Sequence, residues 1–355
     1  MAVVYFVLIL GVIILIHELG HLVTAKLFKV YCHEFSFGFG YKLFSKKGKE
    51  TTYSIRALPF GGYVRMAGEE KLEGDVDVPF ERTLNGVKPL KRMIIMLSGI
   101  FMNLVLAITF FSLLLLLSGY YVKYPAPIIA SVTPGSPAAL AGMQANDLIV
   151  EIEYEDGVKI KPKSFATIVQ YAQSYHNEAT YLINRDSSMI YIRVKPEYDS
   201  SLERYLLGVT MNDIEFLPVN VLNAFYYGSI YTFDTTSDIF NSLINLVQGR
   251  GLSNLSGPIA IFKITGETME SATSFKEGVI YFLNIVAILS LNVGIFNLLP
   301  IPMLDGGRVL LTSVELFTGK PISKRIEYAL INASAILIML LFVFILWNDI
   351  IKLFN

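Results

Sequence analysis

Four long apolar runs dominate the pattern of hydrophobic and polar positions along this chain of 355 residues. They extend over residues 3–28, 93–117, 279–299 and 329–347. A helix that crosses the hydrocarbon core of a bilayer needs about 20 apolar residues, and each run supplies close to that number or more. Because backbone groups in lipid must be hydrogen-bonded internally, such runs are expected to be helices. The pattern therefore predicts an α-helical polytopic membrane protein with about four transmembrane helices.

The segments between the apolar runs have a shorter periodicity. Alternation at Phe37–Gly40, Thr51–Ile55 and Leu58–Val64 predicts a membrane-associated β-hairpin or small sheet. Strand-like runs between residues 123 and 213 predict one external β-rich domain. Apolar and aromatic residues that recur on a polar background over residues 219–247 predict amphipathic helices on the outer membrane surface.

These patterns divide the chain into seven segments. They are transmembrane helix 1 (1–30), a cytoplasmic-side loop with the hairpin (31–92), transmembrane helix 2 (93–118), the external domain (123–213), external amphipathic helices and a loop (214–278), transmembrane helix 3 (279–310) and transmembrane helix 4 (328–348). Lys and Arg are concentrated in residues 26–92 and 308–325. The positive-inside rule therefore predicts that these two segments are cytoplasmic and that both termini lie outside.

Composition agrees with a membrane protein that has room for one extramembrane domain. The chain is 53% hydrophobic and 17% charged, whereas soluble domains carry about 25% charge. The net charge of −1 gives no reason to expect a nucleic-acid partner. The single cysteine, Cys32, excludes an internal disulfide and a thiolate metal cluster. Any zinc ion must therefore be held by His and carboxylate side chains.

The first apolar run carries an unusual polar cluster, His17-Glu18-Leu19-Gly20-His21. A charge at membrane depth costs roughly 2.5–3.5 kcal/mol on insertion scales, so these groups need a compensating partner. Two histidines at i and i+4 share one helical face and can both reach one zinc ion. The carboxylate of Glu18 can act as general base toward water that the metal activates. The cluster therefore predicts a metal site with His17 and His21 as ligands and Glu18 as catalytic residue.

A catalytic zinc site needs a third protein ligand, and Asp305 is the best candidate. It follows the third apolar run, on the side of the membrane where the His17–His21 cluster is expected. Pro300 and Pro302 break the helix before it, and Gly306-Gly307 are expected to let the backbone turn sharply. The alternative is that Asp305 is only a helix cap or turn residue. Of the other possible ligands near the first run, His33 is expected to be a surface residue.

Several motifs together resemble the site-2 protease family of intramembrane zinc metalloproteases, and most closely its bacterial regulator-of-sigma-E branch, in a form with a single PDZ domain. They are the cluster at His17–His21, the Phe-Gly-Phe-Gly run at Phe37–Gly40 and the Asn-x-x-Pro-x-Pro-x-Leu-Asp-Gly run at Asn297–Gly306. In the external domain, Val132–Asp147 is similar to the signature of bacterial protease PDZ domains, and Tyr205–Val209 resembles their peptide-binding loop. The resemblance covers nearly the whole chain.

The resemblance implies an intramembrane metallopeptidase with one zinc ion per chain, in the bacterial cytoplasmic (inner) membrane. It implies His17, His21 and Asp305 as metal ligands, Glu18 as base, Asn297, Pro300 and Pro302 as substrate-binding residues, and Leu207, Gly208 and Val209 as peptide-binding residues of the PDZ-like domain. The implied substrates are type II single-pass membrane proteins already trimmed outside, such as anti-sigma factors, and signal-peptide remnants. The PDZ-like domain would act as a size filter.

Two departures from the family pattern occur. Ser98-Gly99-Ile100 stands where relatives often have Ala-Gly-Pro before an Asn, here Asn103, and Arg308 stands where relatives often have His. Neither changes a predicted ligand. Two other interpretations remain open on the residues alone. One is a membrane metal transporter or sensor, and the other is a PDZ scaffold with a non-catalytic metal site.

Overall fold

The computed structural model describes residues 2–69, 75–249 and 257–354. In chain order, its α-helices are α1 (Ala2–Leu27), α2 (Pro89–Ser118), α3 (Pro137–Leu140), α4 (Phe165–Ser174), α5 (Ala224–Val247), α6 (Pro258–Glu270), α7 (Phe275–Asn297), α8 (Asp305–Thr318) and α9 (Lys324–Phe354). Four of them, α1, α2, α7 and α9, are long and apolar enough to cross a membrane. The prediction of a polytopic helical protein with about four spans is therefore confirmed.

Three of these helices begin a few residues before the apolar run that predicted them. Helix α2 begins at Pro89, α7 at Phe275 and α9 at Lys324. Lys, Arg and Glu form helix about as readily as Leu does, so hydropathy marks the part of a helix suited to lipid and not where its backbone hydrogen bonds begin. Pro89 opens α2 because a first-turn proline sacrifices no intrahelical hydrogen bond.

The chain divides into two compact units. Within the described residues, the first unit holds residues 2–118, 221–239 and 257–354, and the second holds 119–220 and 240–249. In the first unit, α1, α2 and α7 share a buried cluster formed by Ile9, Ile13, Leu106 and Val286.

Glycine allows α1 and α2 to approach closely. A Cβ atom on Gly20 would lie 2.5 Å from the carbonyl oxygen of Ser98. Small residues at helix contacts have this function in membrane bundles, where close packing supplies the association energy. The contact brings the polar end of α1 against α2.

The first unit also contains the predicted sheet, built from two long, bent strands. They are β1 (Cys32–Lys47) and β2 (Thr52–Met66). Residues 34–37 of β1 have partners on both sides, in residues 62–65 and in residues 52–55 of β2, and residues 44–47 also pair with 52–55. The two strands therefore form a sheet of four short segments. Residues 62–65 are at its edge, since no other strand of the described chain pairs with them.

An ion-pair network around the buried Glu34 carboxylate holds this sheet in shape. The Arg56 guanidinium donates to Glu34 Oε1 at 3.0 Å and to the Gly40 carbonyl at 2.8 Å, and Lys42 Nζ lies 3.3 Å from Glu34. Burial alone would raise the pKa of Glu34, but the hydrogen bond and charge of Arg56 and the charge of Lys42 lower this pKa to about 2. Glu34 therefore remains ionised at neutral pH and links three segments of the sheet.

The chain between α7 and α8 makes a compact link instead of a long loop. Helix α7 ends at Asn297, and α8 begins at Asp305. Gly306 and Gly307 lie inside α8, so the expectation that they form a sharp turn is wrong. A Cβ atom would lie 2.1 Å from the Leu298 carbonyl oxygen at Gly306 and 2.0 Å from the Ile301 carbonyl oxygen at Gly307. These glycines allow the start of α8 to pack directly on the link.

The second unit is a β-rich domain, as predicted. Its strands are β3 (Tyr120–Lys123), β4 (Ser131–Val132), β5 (Leu148–Tyr154), β6 (Lys159–Ile160), β7 (Ala179–Arg185), β8 (Ser188–Val194), β9 (Glu197–Asp199), β10 (Arg204–Leu206), β11 (Val209–Thr210) and β12 (Glu215–Pro218). The largest sheet has the order β6-β5-β7-β8. Its core includes Ile152, Tyr181 and Ile183, each fully buried.

Candidate metal centre

Three side chains from opposite ends of the chain meet beside α1. His17 Nε2 and His21 Nε2 lie 3.2 Å apart. Asp305 Oδ2 lies 3.1 Å from His17 Nε2 and 3.3 Å from His21 Nε2. The histidines are one turn apart on one face of α1, and Asp305 is the first residue of α8. The structure therefore brings together the three residues predicted as metal ligands.

The spacing of these three atoms fits a zinc ion. Tetrahedral zinc binds nitrogen and carboxylate oxygen at about 2.0–2.2 Å, which separates neighbouring ligand atoms by about 3.3 Å. Asp305 Oδ2 is buried and has no hydrogen-bond partner among the described residues. Such a carboxylate oxygen is costly unless a cation compensates it. With three protein atoms in the set, one tetrahedral position remains for a reactant.

Helix α2 closes one side of this cluster and was not assigned to the site from the sequence. His21 Nδ1 lies 2.8 Å from the Ile95 carbonyl oxygen. A Cβ atom on Gly99 would lie 2.4 Å from His21 Nε2 and 2.7 Å from His17 Cε1. The backbone of α2 thus packs directly on the imidazoles. The sequence signal for this contact was a glycine, followed four residues later by Asn103, inside an otherwise apolar helix.

A Gly99→Ala variant is expected to lose zinc while keeping its fold. The added methyl group occupies the space of the ligand atoms, whereas alanine favours the helix more than glycine does. We expect zinc affinity to fall by about 10–100-fold, the range typical when the surroundings of metal ligands are disturbed. Zinc per chain, measured on purified protein, checks this. A Gly278→Ala variant is the matched control because its nearest neighbour would be 3.8 Å away; equal zinc in both variants would contradict the expectation.

Glu18 lies between the metal ligands in sequence and beside the edge of the sheet in space. Its carboxylate accepts a hydrogen bond from the backbone N–H of Val64. A Cβ atom on Gly62 would lie 3.3 Å from Glu18 Cγ. The edge segment of β2 therefore runs directly past this carboxylate, so an extended peptide at that edge would lie close to Glu18.

The other predicted substrate-binding residues lie at the end of α7 and in the link. Asn297 is the last residue of α7, and its half-buried side chain makes no hydrogen bond to any described residue. Pro300 is exposed and Pro302 is half-buried, both within the link that precedes Asp305. The Asn297 amide is thus free to bind another molecule.

The residues predicted to bind peptide in the PDZ-like domain lie in the second unit. The Leu207 side chain is 5% exposed and belongs to the domain core. Gly208 has a φ of +80°, and a Cβ atom there would lie 2.3 Å from Ser136 Oγ. Val209 pairs with Val132. Leu207 is therefore positioned to stabilise the domain, and only its backbone could meet a peptide.

Two other possible ligands lie apart from the cluster. The His33 side chain is only 9% exposed and lies 3.6 Å from Asp75, so its expected place at the surface is wrong. No local pattern predicts Asp75 as the neighbour of His33, because the contact joins segments far apart in the chain. Cys32 is fully buried, and burial raises the pKa of its thiol to about 12. It therefore remains a neutral thiol.

Comparison with known proteins identifies the family. The profile of peptidase family M50 matches residues 5–341. A putative zinc metalloprotease of Clostridium acetobutylicum is 34% identical over 317 residues, which cover 89% of this chain and 87% of that protein. The regulator of sigma-W protease RasP of Bacillus subtilis is 30% identical over an alignment of 431 positions, which covers 99% of each chain.

A third relative is the probable protease eep of Enterococcus faecalis, 29% identical and covering 98% of each chain. Among solved structures, the PDZ domain of an SdrC-like protein from Listeria monocytogenes aligns with 26% of this chain and 94% of its own length. That alignment has 25% identity and a TM-score of 0.22. The family match spans both the His17–His21 cluster and Asp305. The chain therefore belongs to peptidase family M50 and is a zinc metalloendopeptidase.

Proposed function

We propose that this enzyme hydrolyses peptide bonds within the transmembrane segments of single-pass membrane proteins. The observation that carries the proposal is the meeting of His17, His21 and Asp305 beside a helix long and apolar enough to span a bilayer. A metal site beside such a helix suits a substrate that is itself in the membrane. Sequence relatives named as proteases and as a regulator of sigma-W support the same class of activity.

His17, His21 and Asp305 would hold one zinc ion, and Glu18 is the proposed general base. When bound, zinc supplies Lewis-acid polarisation of the scissile carbonyl and of the attacking water. Glu18 lies one residue from His17 and takes the proton from the attacking water, then returns it to the leaving amine. The Val64 N–H keeps the carboxylate directed toward the edge of the sheet.

A transmembrane helix must unwind before this chemistry, because its amides are hydrogen-bonded to one another. The edge segment, residues 62–65, has one side that no other strand of the described chain pairs with, and an extended substrate could add there, as in other cases of strand addition. The side chain of Asn297 would hold the freed substrate backbone from the other side. Pro300 and Pro302 would stiffen the link, since the ring of each proline fixes its backbone φ angle.

The location of the enzyme and its choice of substrate are also proposed. We place the enzyme in the bacterial cytoplasmic membrane, with the metal site toward the cytoplasm and the PDZ-like domain outside, on the distribution of Lys and Arg. The PDZ-like domain would exclude type II substrates that still carry an external domain. Anti-sigma factors and remnant signal peptides fit this description.

The test is cleavage of a single-pass membrane substrate by purified enzyme in proteoliposomes. We expect removal of zinc by a chelator to stop cleavage and zinc addition to restore it, with product masses that place the cut inside the transmembrane segment. A cut outside the membrane would contradict the proposal. Zinc movement into the vesicles without cleavage would instead favour a metal transporter.

An Asn297→Ala variant is expected to cleave substrate about 10–100-fold more slowly while retaining zinc. The reason is that a misplaced reactant costs rate even when the reacting groups are intact. Cleavage rate and zinc content, measured on the same preparation, check this. Asn332→Ala on α9 serves as control because Asn332 is exposed. An unchanged rate in Asn297→Ala would remove Asn297 from the substrate site.

A further inference from the structure

Asn103 is a fully buried polar residue in the apolar helix α2. Its amide nitrogen Nδ2 lies 3.2 Å from His17 Nδ1. Its Oδ1 atom has no hydrogen-bond partner among the described residues. A buried amide oxygen without a partner is costly, so the observed contact satisfies only part of this side chain.

Each of the two imidazoles of the cluster also needs a hydrogen-bond partner, at its Nδ1 atom. A neutral imidazole that binds metal through Nε2 carries its proton on Nδ1, and that N–H needs an acceptor. For His21 the acceptor is the Ile95 carbonyl oxygen, at 2.8 Å. For His17 the only group of the described chain found within hydrogen-bond distance of Nδ1 is the Asn103 amide. His17 therefore depends on Asn103 for its acceptor.

The unpartnered oxygen of Asn103 is the atom that His17 requires. The two ends of a carboxamide have nearly the same shape, so a half-turn exchanges Oδ1 and Nδ2 without moving other groups. Oδ1 then accepts the Nδ1–H of His17, and the lone pair of the ring is at Nε2. That atom faces His21 Nε2 and Asp305 Oδ2.

We infer that Asn103 is a positioning residue that fixes the tautomer and ring orientation of His17 for metal binding. The inference rests on the proposed ligand role of His17. Asn103 is itself held in place from the neighbouring helix, because Ser290 Oγ on α7 donates to the Asn103 backbone carbonyl at 3.0 Å. The competing explanation is that Asn103 only contributes to the packing of α2 against α7.

Two substitutions of Asn103 separate these explanations. Asn103→Leu keeps the size of the side chain but removes the acceptor. Asn103→Asp keeps an acceptor and makes it stronger. Both are prepared in the Glu18→Gln background, so that proteolysis does not enter the measurement. Zinc affinity is measured by competition with a chelator, and the visible absorption of the cobalt-substituted protein reports ligand geometry.

We expect Asn103→Leu to bind zinc 10–100-fold more weakly, as found when outer hydrogen-bond partners of metal ligands are removed, and to alter the cobalt spectrum. Asn103→Asp is expected to bind zinc at least as tightly as the parent. Ser112→Ala, which changes another buried polar residue of α2, is the control for helix packing and should change the affinity less than twofold. If Asn103→Leu does not fold, Asn103→Ala replaces it.

Parental affinity in the Leu or Ala variant would overturn the inference, and so would an Asp variant as weak as the Leu variant. In both cases the parent still binds zinc and the proposed function stands. A wild-type enzyme that binds no zinc would overturn the ligand assignment of His17 and this inference together.

Discussion

A Glu18→Gln enzyme is expected to bind zinc normally and to cleave substrate about 10²–10⁴-fold more slowly than the wild type. Positioned proton transfer contributes this order of rate acceleration, and glutamine has the shape of glutamate without its basicity. The Val64 N–H can still donate to the amide oxygen, so the edge of the sheet is retained. Single-turnover cleavage of a transmembrane substrate, together with zinc content, provides the measurement.

The control for this variant is Glu315→Gln, which neutralises a carboxylate on α8 that pairs with Arg92 at 2.7 Å and lies outside the cluster. It should keep both zinc and activity within a few-fold. Near-normal cleavage by Glu18→Gln would remove Glu18 from the mechanism. Loss of zinc in that variant would instead make Glu18 part of the metal-binding set.

An Asp305→Asn enzyme is expected to lose zinc and, as a consequence, activity. The amide is a much weaker ligand than the carboxylate because it carries no charge, and the two remaining histidines do not make up the three protein ligands of a catalytic zinc site. We expect the zinc dissociation constant to rise by about 100-fold or more, because a neutral amide does not replace the ionised carboxylate as a metal ligand. Chelator competition on purified protein measures it.

Asparagine also fits the first turn of α8, so a loss of zinc can be separated from a loss of helix. The circular dichroism and thermal midpoint of Asp305→Asn should match those of Glu315→Gln, which changes the same helix. Wild-type zinc affinity in Asp305→Asn would contradict the assignment, and Asp305 would then be only the first residue of a helix near the two imidazoles.

The spans and two of the three proposed metal ligands could be predicted from the sequence because both depend on local patterns. An apolar run predicts a helix by itself, and the spacing of His17 and His21 defines a shared face. Asp305 required a second argument, namely that its segment and α1 end on the same side of the membrane. No single local pattern joins the two.

The features that could not be predicted from the sequence depend on contacts between distant segments. Residues 305–310 are assigned by the sequence pattern to the end of transmembrane helix 3, yet Asp305 begins a separate helix, α8. The start of α8 is fixed by the contacts of Gly306 and Gly307 with the link. Gly99 and Asn103 correspond to positions of the family pattern, but only the packing of α2 against the imidazoles shows what they contact. The double pairing of residues 34–37 likewise cannot be deduced from alternation, which gives strands but not their partners.

The position of Asp305 at the start of α8 also affects how the enzyme is made. On the proposed ligand assignment, a growing chain carries two of its three metal ligands from the first helix onward, but it gains the third only when most of the protein has been synthesised. During insertion the nascent protein is therefore inert toward neighbouring membrane helices, and a product that terminates before residue 305 has no peptidase activity. On this assignment, hydrolysis can begin only after Asp305 has been synthesised and α8 has packed beside α1.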